Sequence, residues 1–242
     1  MDVFQIYPRL VFESNNRVYK FFKTNSEFKK ELEKINSLPN FDHHDDLSKY
    51  KMSIVKILEI HDNFYVMQHA KGICLKNSNN INDYFLAGSW LKYFHERTLS
   101  KIDNKATLFG DFVNSHLYID HINKEIIAID PGSGIANFDE IEVDFSRFIV
   151  NILAKKNLQV LKIQNILNKF FNGYGINRLS FSRLDQQIKI RISKNFEKTE
   201  QLTPGFKGFY KACFLLFFSK MKYKFIKKYI KNIINNSQQR KN

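Results

Sequence analysis

Two aspartates and a histidine frame one hairpin. In LFGDFVNSHLYIDHINKEIIAID the chain passes Asp111 and His116, runs out along LYID, turns through HINK and returns along EIIAID to Asp130. Such a path brings its two ends together, so both carboxylates are expected at one end of the hairpin. The return strand leads into the short turn Pro131-Gly132-Ser133-Gly134. Two acids converging beside a glycine-containing turn can divide the work of metal-assisted phosphoryl transfer, one orienting an attacking hydroxyl and the other holding Mg2+ against phosphates. The same aspartates could equally be turn residues at strand ends, where Asp is common.

The elements before and after the hairpin must position it. FQIY, RLVFES and RVYKFF read as a small antiparallel sheet with a turn at Asn15-Asn16. SEFKKELEKINSL reads as a helix with Phe28, Leu32, Ile35 and Leu38 on one face, Ser26 as N-cap and Pro39 beyond its end. KMSIVKILEI and NFYVMQHA follow as two strand-like runs, and about Ile81 to Thr98 as a helix that buries Tyr84, Leu91 and Phe94. From Val143 the pattern is helical to the end. The expected class is α+β, with a strand-rich first third and a mainly helical remainder.

Composition narrows the partners. Cys74 and Cys213 are far apart, which suggests neither a disulfide framework nor a zinc site and fits a cytoplasmic protein. Charge interrupts every apolar run before membrane-spanning length. The formal net charge of +14 is uneven: ten of the 38 Lys and Arg residues follow Glu200, and no acid does. In KMKYKFIKKYIKNII lysines interleave with Phe225, Ile226, Tyr229, Ile230, Ile233 and Ile234. This pattern suits an interfacial helix on the inner face of an anionic membrane, and equally a C-terminal helix with solvated lysines. No nucleic-acid motif accompanies the lysines, so a polynucleotide partner is disfavoured. The His43-His44-Asp45-Asp46 cluster reads as a solvated loop, because four adjacent side chains cannot converge on one ion from an extended chain. His95 reads as a packing or loop-bracing histidine.

Taken in order, these segments resemble the signature set of protein-kinase-like phosphotransferases, specifically the aminoglycoside phosphotransferase and lipopolysaccharide (sugar) kinase group. The resemblance runs from about Val18 to Ile149. It implies a two-lobed fold, with residues 1–70 as a nucleotide-binding N-lobe and 71–242 as a C-lobe carrying the catalytic loop, the hairpin and the basic helix. By this resemblance Lys20 of RVYKFF contacts nucleotide phosphates and Glu31 pairs with it. YVMQHAKG is similar to the hinge, with Met67 as gatekeeper and Gln68 and Ala70 offering backbone groups to adenine. GDFVNSHLYID makes Asp111 the catalytic aspartate, AIDPGSG makes Asp130 the metal ligand, and DFSRFIV makes Asp144 the brace of the catalytic loop. The implied activity is transfer of phosphate from ATP, with Mg2+, to a hydroxyl of a small molecule, glycan or glycolipid, as in bacterial envelope glycan metabolism.

Two positions depart from the pattern. His116 stands five residues after Asp111, where the family has a metal-binding asparagine. Imidazole prefers softer ions, so His116 implies Mn2+, action through water, or loss of the second metal. Only IYPRL separates the first two strands, with no glycine to fold over phosphates. The alternative implied is a catalytically degenerate nucleotide-binding or membrane-associated regulatory module.

Overall fold

The computed structural model describes residues 2–6, 9–39, 41–45, 49–100, 102–103, 105–131, 138–155, 159–176, 178–202 and 206–239. The chain begins with strands β1 (Asp2–Ile6), β2 (Arg9–Ser14) and β3 (Arg17–Phe21), then helix α1 (Asn25–Ser37). Strands β4 (Asp42–Asp45), β5 (Tyr50–Ile54), β6 (Ile57–Ile60), β7 (Phe64–Gln68) and β8 (Ile73–Cys74) follow. Helix α2 (Asn82–Glu96) leads to β9 (Lys105–Thr107), β10 (Leu117–Asp120), β11 (Glu125–Ala128) and β12 (Phe138–Glu140). Helices α3 (Glu142–Leu153), α4 (Val160–Tyr174), α5 (Phe181–Leu202) and α6 (Phe206–Gln239) complete it.

These elements form two compact units. The first comprises Met1–Ser78, Phe109–Asp111 and Ser115–Asn137. Its first sheet has the order β1-β2-β3-β7-β6, antiparallel throughout. Its second has the order β4-β5-β11-β10-β8, with β5 and β11 parallel. Asn15 and Asn16 join β2 to β3 with φ of 52° and 60°, the left-handed turn whose twist matches a hairpin.

Three local expectations are corrected here. The cap of α1 is Thr24, whose side chain accepts the Glu27 backbone N–H at 3.3 Å, and Ser26 lies inside the helix. Thr24 followed three residues later by Glu27 is the capping-box spacing. The run KMSIVKILEI is not one strand: it breaks at Val55-Lys56, sending β5 to the second sheet and β6 to the first. Asp42 to Asp45, expected as a polar loop, forms edge strand β4, because pairing with β5 overrides poor strand propensity. Asp46 of that cluster, Tyr7 and Pro8 of IYPRL, and Gly132 to Gly134 of PGSG lie outside the described residues.

The second unit comprises Asn79–Leu108, Phe112–Asn114 and Phe138–Asn242 and is mainly helical. Its core is aromatic, with Trp90 stacked on Phe94 at 5.2 Å and Phe148 on Phe170 at 4.0 Å. Tyr84, Leu91 and Phe94 are buried as the helical spacing predicts. Helices α2 and α4 meet at two glycines: a Cβ on Gly88 would stand 2.1 Å from the Phe170 carbonyl oxygen, and one on Gly173 2.0 Å from that of Phe85. Lys222, 5% exposed, donates to the carbonyls of Leu153 and Lys155 and so closes the C-terminal end of α3. Among the described residues no helix is long and apolar enough to cross a membrane.

Candidate functional site

Lys20 is the penultimate residue of β3, and residues two apart on a strand share a face. That face is otherwise apolar: Val18 and Phe22 flank Lys20, and Tyr65 and Met67 of β7 stand on the same side within a cluster that includes Phe28. A lysine buried among such groups needs an anionic partner. Glu31 supplies it from α1, with Oε1 2.5 Å from the Lys20 ammonium. Tyr65, paired with Lys20 across the two strands, donates its hydroxyl to the same Oε1 at 2.6 Å. Tyr65 was not expected from the sequence, although its place opposite Lys20 in two adjacent strands was a usable signal.

The third group on Lys20 is Asp130. Its Oδ1 also lies 2.5 Å from the Lys20 nitrogen, which ties β3 to the end of β11 across 110 residues. Asp130 has φ 54°, a left-handed conformation costly for a residue with a Cβ. The hairpin then closes as expected. Leu117 pairs with Ala128, and the Ile129 N–H donates to the His116 carbonyl at 2.8 Å. The turn Asn114–His116 thus delivers His116 beside Asp130. Gly110, with φ 91°, gives the chain the reversal that precedes Asp111.

The histidine ring is held at one nitrogen. Its Nδ1 donates to the Asp111 carbonyl oxygen at 3.0 Å, and the Asp111 carboxylate lies 3.8 Å from the same nitrogen. In the neutral ring Nε2 then carries the lone pair, and it lies 3.8 Å from Asp130 Oδ2. Side-chain exposure separates the groups: Lys20 and Glu31 are sealed at 5% and 1%, whereas Asp111 and Asp130 are 35% and 34% open. The buried pair can hold position while the open pair can meet a ligand.

The residues suit a divalent cation. Glu31, Asp111 and Asp130 outnumber Lys20 and leave an excess of negative charge. Nε2 and Oδ2, 3.8 Å apart, lie within twice a metal–ligand distance of about 2.1 Å. Among the described residues no group of three or more His, Cys, Asp or Glu is arranged to hold a metal. Mg2+ in phosphotransfer sites commonly takes one or two protein carboxylates and completes its shell with phosphate and water, so two protein donors suffice.

Met67, Gln68 and Ala70, expected as the hinge, lie in the same unit. Met67 and Ala70 are buried in the apolar cluster around Lys20. The Gln68 backbone N–H donates to the Lys56 carbonyl at 2.9 Å.

A second polar cluster lies in the helical unit and is closed to solvent. His95 Nε2 lies 3.2 Å from Asp144 Oδ2, and His95 Nδ1 lies 3.0 Å from the Tyr174 hydroxyl. Burial pushes the Tyr174 hydroxyl far above its ordinary pKa, so it stays protonated and donates to Nδ1. Nε2–H then donates to Asp144. His95 is thus a bracing histidine, and Tyr174 is the partner that sequence reading missed.

No family model and no curated protein sequence matches this chain. Solved structures do. An amicoumacin kinase in complex with AMP-PNP, Ca2+ and Ami matches with a TM-score of 0.62 at 13% identity, over 92% of this chain and 87% of that one. An aminoglycoside phosphotransferase from Streptomyces rimosus matches with a TM-score of 0.54 at 10% identity, over 78% and 91% of the two chains. A spectinomycin phosphotransferase in complex with ADP and spectinomycin gives 0.52 at 10% identity, over 91% and 92%. The chain therefore has the protein-kinase-like fold, resembling the aminoglycoside phosphotransferases, with an antiparallel-sheet N-terminal part and a mainly helical C-terminal part.

Proposed function

We propose that this chain is an ATP-dependent phosphotransferase that acts on a hydroxyl of a small-molecule, glycan or glycolipid acceptor. The observation that carries this reading is Lys20 held between Glu31 and Asp130, with Asp111 and His116 beside it. Such a group can bind phosphate, hold a cation and take a proton within one site. Solved structures of the same fold, named as a kinase and two phosphotransferases, support the same reading. In this proposal residues 1–70 receive the nucleotide, with backbone groups of Gln68 and Ala70 on adenine beside Met67. Residues 71–242 supply the catalytic loop, the hairpin and the basic helix.

Lys20, steadied by Glu31, positions the phosphates, and Asp111 orients the acceptor hydroxyl and receives its proton. Asp130 and His116 Nε2 are the groups that would hold Mg2+ or Mn2+. When bound, the ion neutralises phosphate charge. A cytoplasmic chain acting on a glycolipid at the inner face of an anionic membrane fits the basic α6. A noncatalytic nucleotide-binding or membrane-associated regulatory module is the second reading, favoured by IYPRL, which offers no glycine to fold over phosphates, and by His116 at the asparagine position.

A phosphate-release and product assay with ATP, Mg2+ or Mn2+ and a panel of sugars, aminoglycosides and glycolipids separates the two. Turnover by the wild type is expected, with none by Asp111→Asn or Asp130→Asn. Asp130→Asn loses the metal-dependent part of ATP affinity, whereas Asp111→Asn retains most of it. Nucleotide binding without turnover on any acceptor favours the noncatalytic module, and brisk turnover by either variant overturns the roles assigned.

A further inference from the structure

Three isoleucines of the apolar stripe legible in the C-terminal sequence are not available to a membrane. Ile226, Ile230 and Ile234 are fully buried. Two lysines of the same run are likewise engaged. Lys222 closes the end of α3, and Lys227 donates to Asp185, which also accepts from Lys189 and Tyr223.

A different face of the same helix remains open. Phe217, Met221 and Phe225 are 64%, 36% and 62% exposed, and Lys220, Lys224 and Lys228 are exposed among them. At about 100° per residue, positions 217, 221, 224 and 228 fall within about 60° of one another, with Ile226 opposite them. Tyr210, two turns before Phe217 and 67% exposed, continues the face towards the N-terminal end of the helix. From Phe206 to Gln239 the helix contains no acidic residue.

We propose that this face, centred on Phe217, Met221, Lys224 and Lys228, docks the chain on an anionic lipid bilayer. Large apolar side chains exposed to water and interleaved with unopposed lysines are what an interfacial helix presents to headgroups and acyl boundary. Charge selects this occupant over a second copy of the chain, because a two-fold contact through this face would set lysines against lysines. The inference deepens the membrane contact of the proposed function, but its test needs neither ATP nor turnover, so either can fail without the other.

The test is co-sedimentation of the full chain with vesicles of phosphatidylcholine alone and vesicles containing about one-third phosphatidylserine. The wild type binds only the anionic vesicles, and binding fades with salt as exposed charges are screened. Lys220→Glu/Lys224→Glu/Lys228→Glu lowers the partition coefficient at least about tenfold. Phe217→Ser/Met221→Ser lowers the part that survives salt. Lys29→Glu/Lys30→Glu/Lys56→Glu, an equal charge change at exposed positions elsewhere, retains binding. All altered residues are exposed, and circular dichroism confirms that each variant keeps its helix content. No binding to anionic vesicles at low salt overturns the proposal, as does equal loss in both charge variants. It also falls if the face variant loses affinity for single-stranded RNA or for a second copy of the chain while vesicle binding is unchanged.

Discussion

The two polar clusters use similar chemistry to opposite ends. Around Lys20, a buried ion pair and a tyrosine hydroxyl lead outward to Asp130, His116 and Asp111, which are partly open to solvent. Around His95, the histidine, the carboxylate and the tyrosine are all enclosed, with His95 and Asp144 at 0% exposure. In the first cluster each buried group orients one that can meet a ligand. In the second the bonds join groups that are themselves closed to solvent, the pattern of a bracing cluster. Under the proposed function, what separates a working carboxylate from a bracing one is an open side.

The largest effect should come from emptying the first cluster while preserving its packing. Lys20→Met with Glu31→Leu replaces a buried ion pair by apolar groups of similar size, a change proteins often accept at little cost. Stability is expected to stay within about 2 kcal/mol by urea denaturation, while kcat/KM falls at least about 100-fold. A double variant that is folded and active would erase the distinction between the clusters.

Opening the second cluster should cost stability and leave the chemistry intact in whatever remains folded. Asp144→Ala leaves the buried His95 Nε2–H without its acceptor, and the expected loss is about 3 kcal/mol in urea denaturation. An unchanged midpoint would show that His95 has another partner.

His116 sharpens the contrast, because its Nδ1 is bonded to the Asp111 carbonyl while its Nε2 faces Asp130. Rates measured with each metal should favour Mn2+ in the wild type, and His116→Asn should shift the preference several-fold towards Mg2+. Unchanged preference would remove Nε2 from the metal.

The smallest effect belongs to Glu142, a fully buried carboxylate at the start of α3. Its Oε1 accepts the Ser180 N–H at 2.8 Å, and its Oε2 has no hydrogen-bond partner among the described residues. Burial raises its pKa above the ordinary 4.5, against the Ser180 bond that lowers it. A carboxyl whose folded pKa is raised binds more protons folded than unfolded, so its contribution is most favourable below pH 4.5 and is lost as pH rises through the folded value. Glu142→Gln should therefore stabilise the protein by about 1 kcal/mol at pH 7, with the gain shrinking towards pH 4.5. A pH-independent difference would mean that packing, and not charge, sets the effect.

The sequence by itself determined the strand-rich first third and the mainly helical remainder, the Asn15-Asn16 turn and the hairpin that brings His116 and Asp130 together. These follow from local rules: alternation along a strand, left-handed turn residues, and the return of a chain over a short distance. It also pointed to Lys20 and Glu31, but only through a resemblance, since nothing local says that residues 11 apart will meet. Only the tertiary structure decided that Asp130 joins them across 110 residues. It likewise decided that Tyr65 shares their carboxylate, that Tyr174 completes the His95 pair and that α2 and α4 touch at Gly88 and Gly173. The clearest case is α6. Its sequence shows apolar residues on most of its circumference, and the isoleucines are the stronger stripe. Which stripe is buried depends on where α3, α4 and α5 lie, so the face left to solvent is the weaker one, with Phe217, Met221 and the lysines.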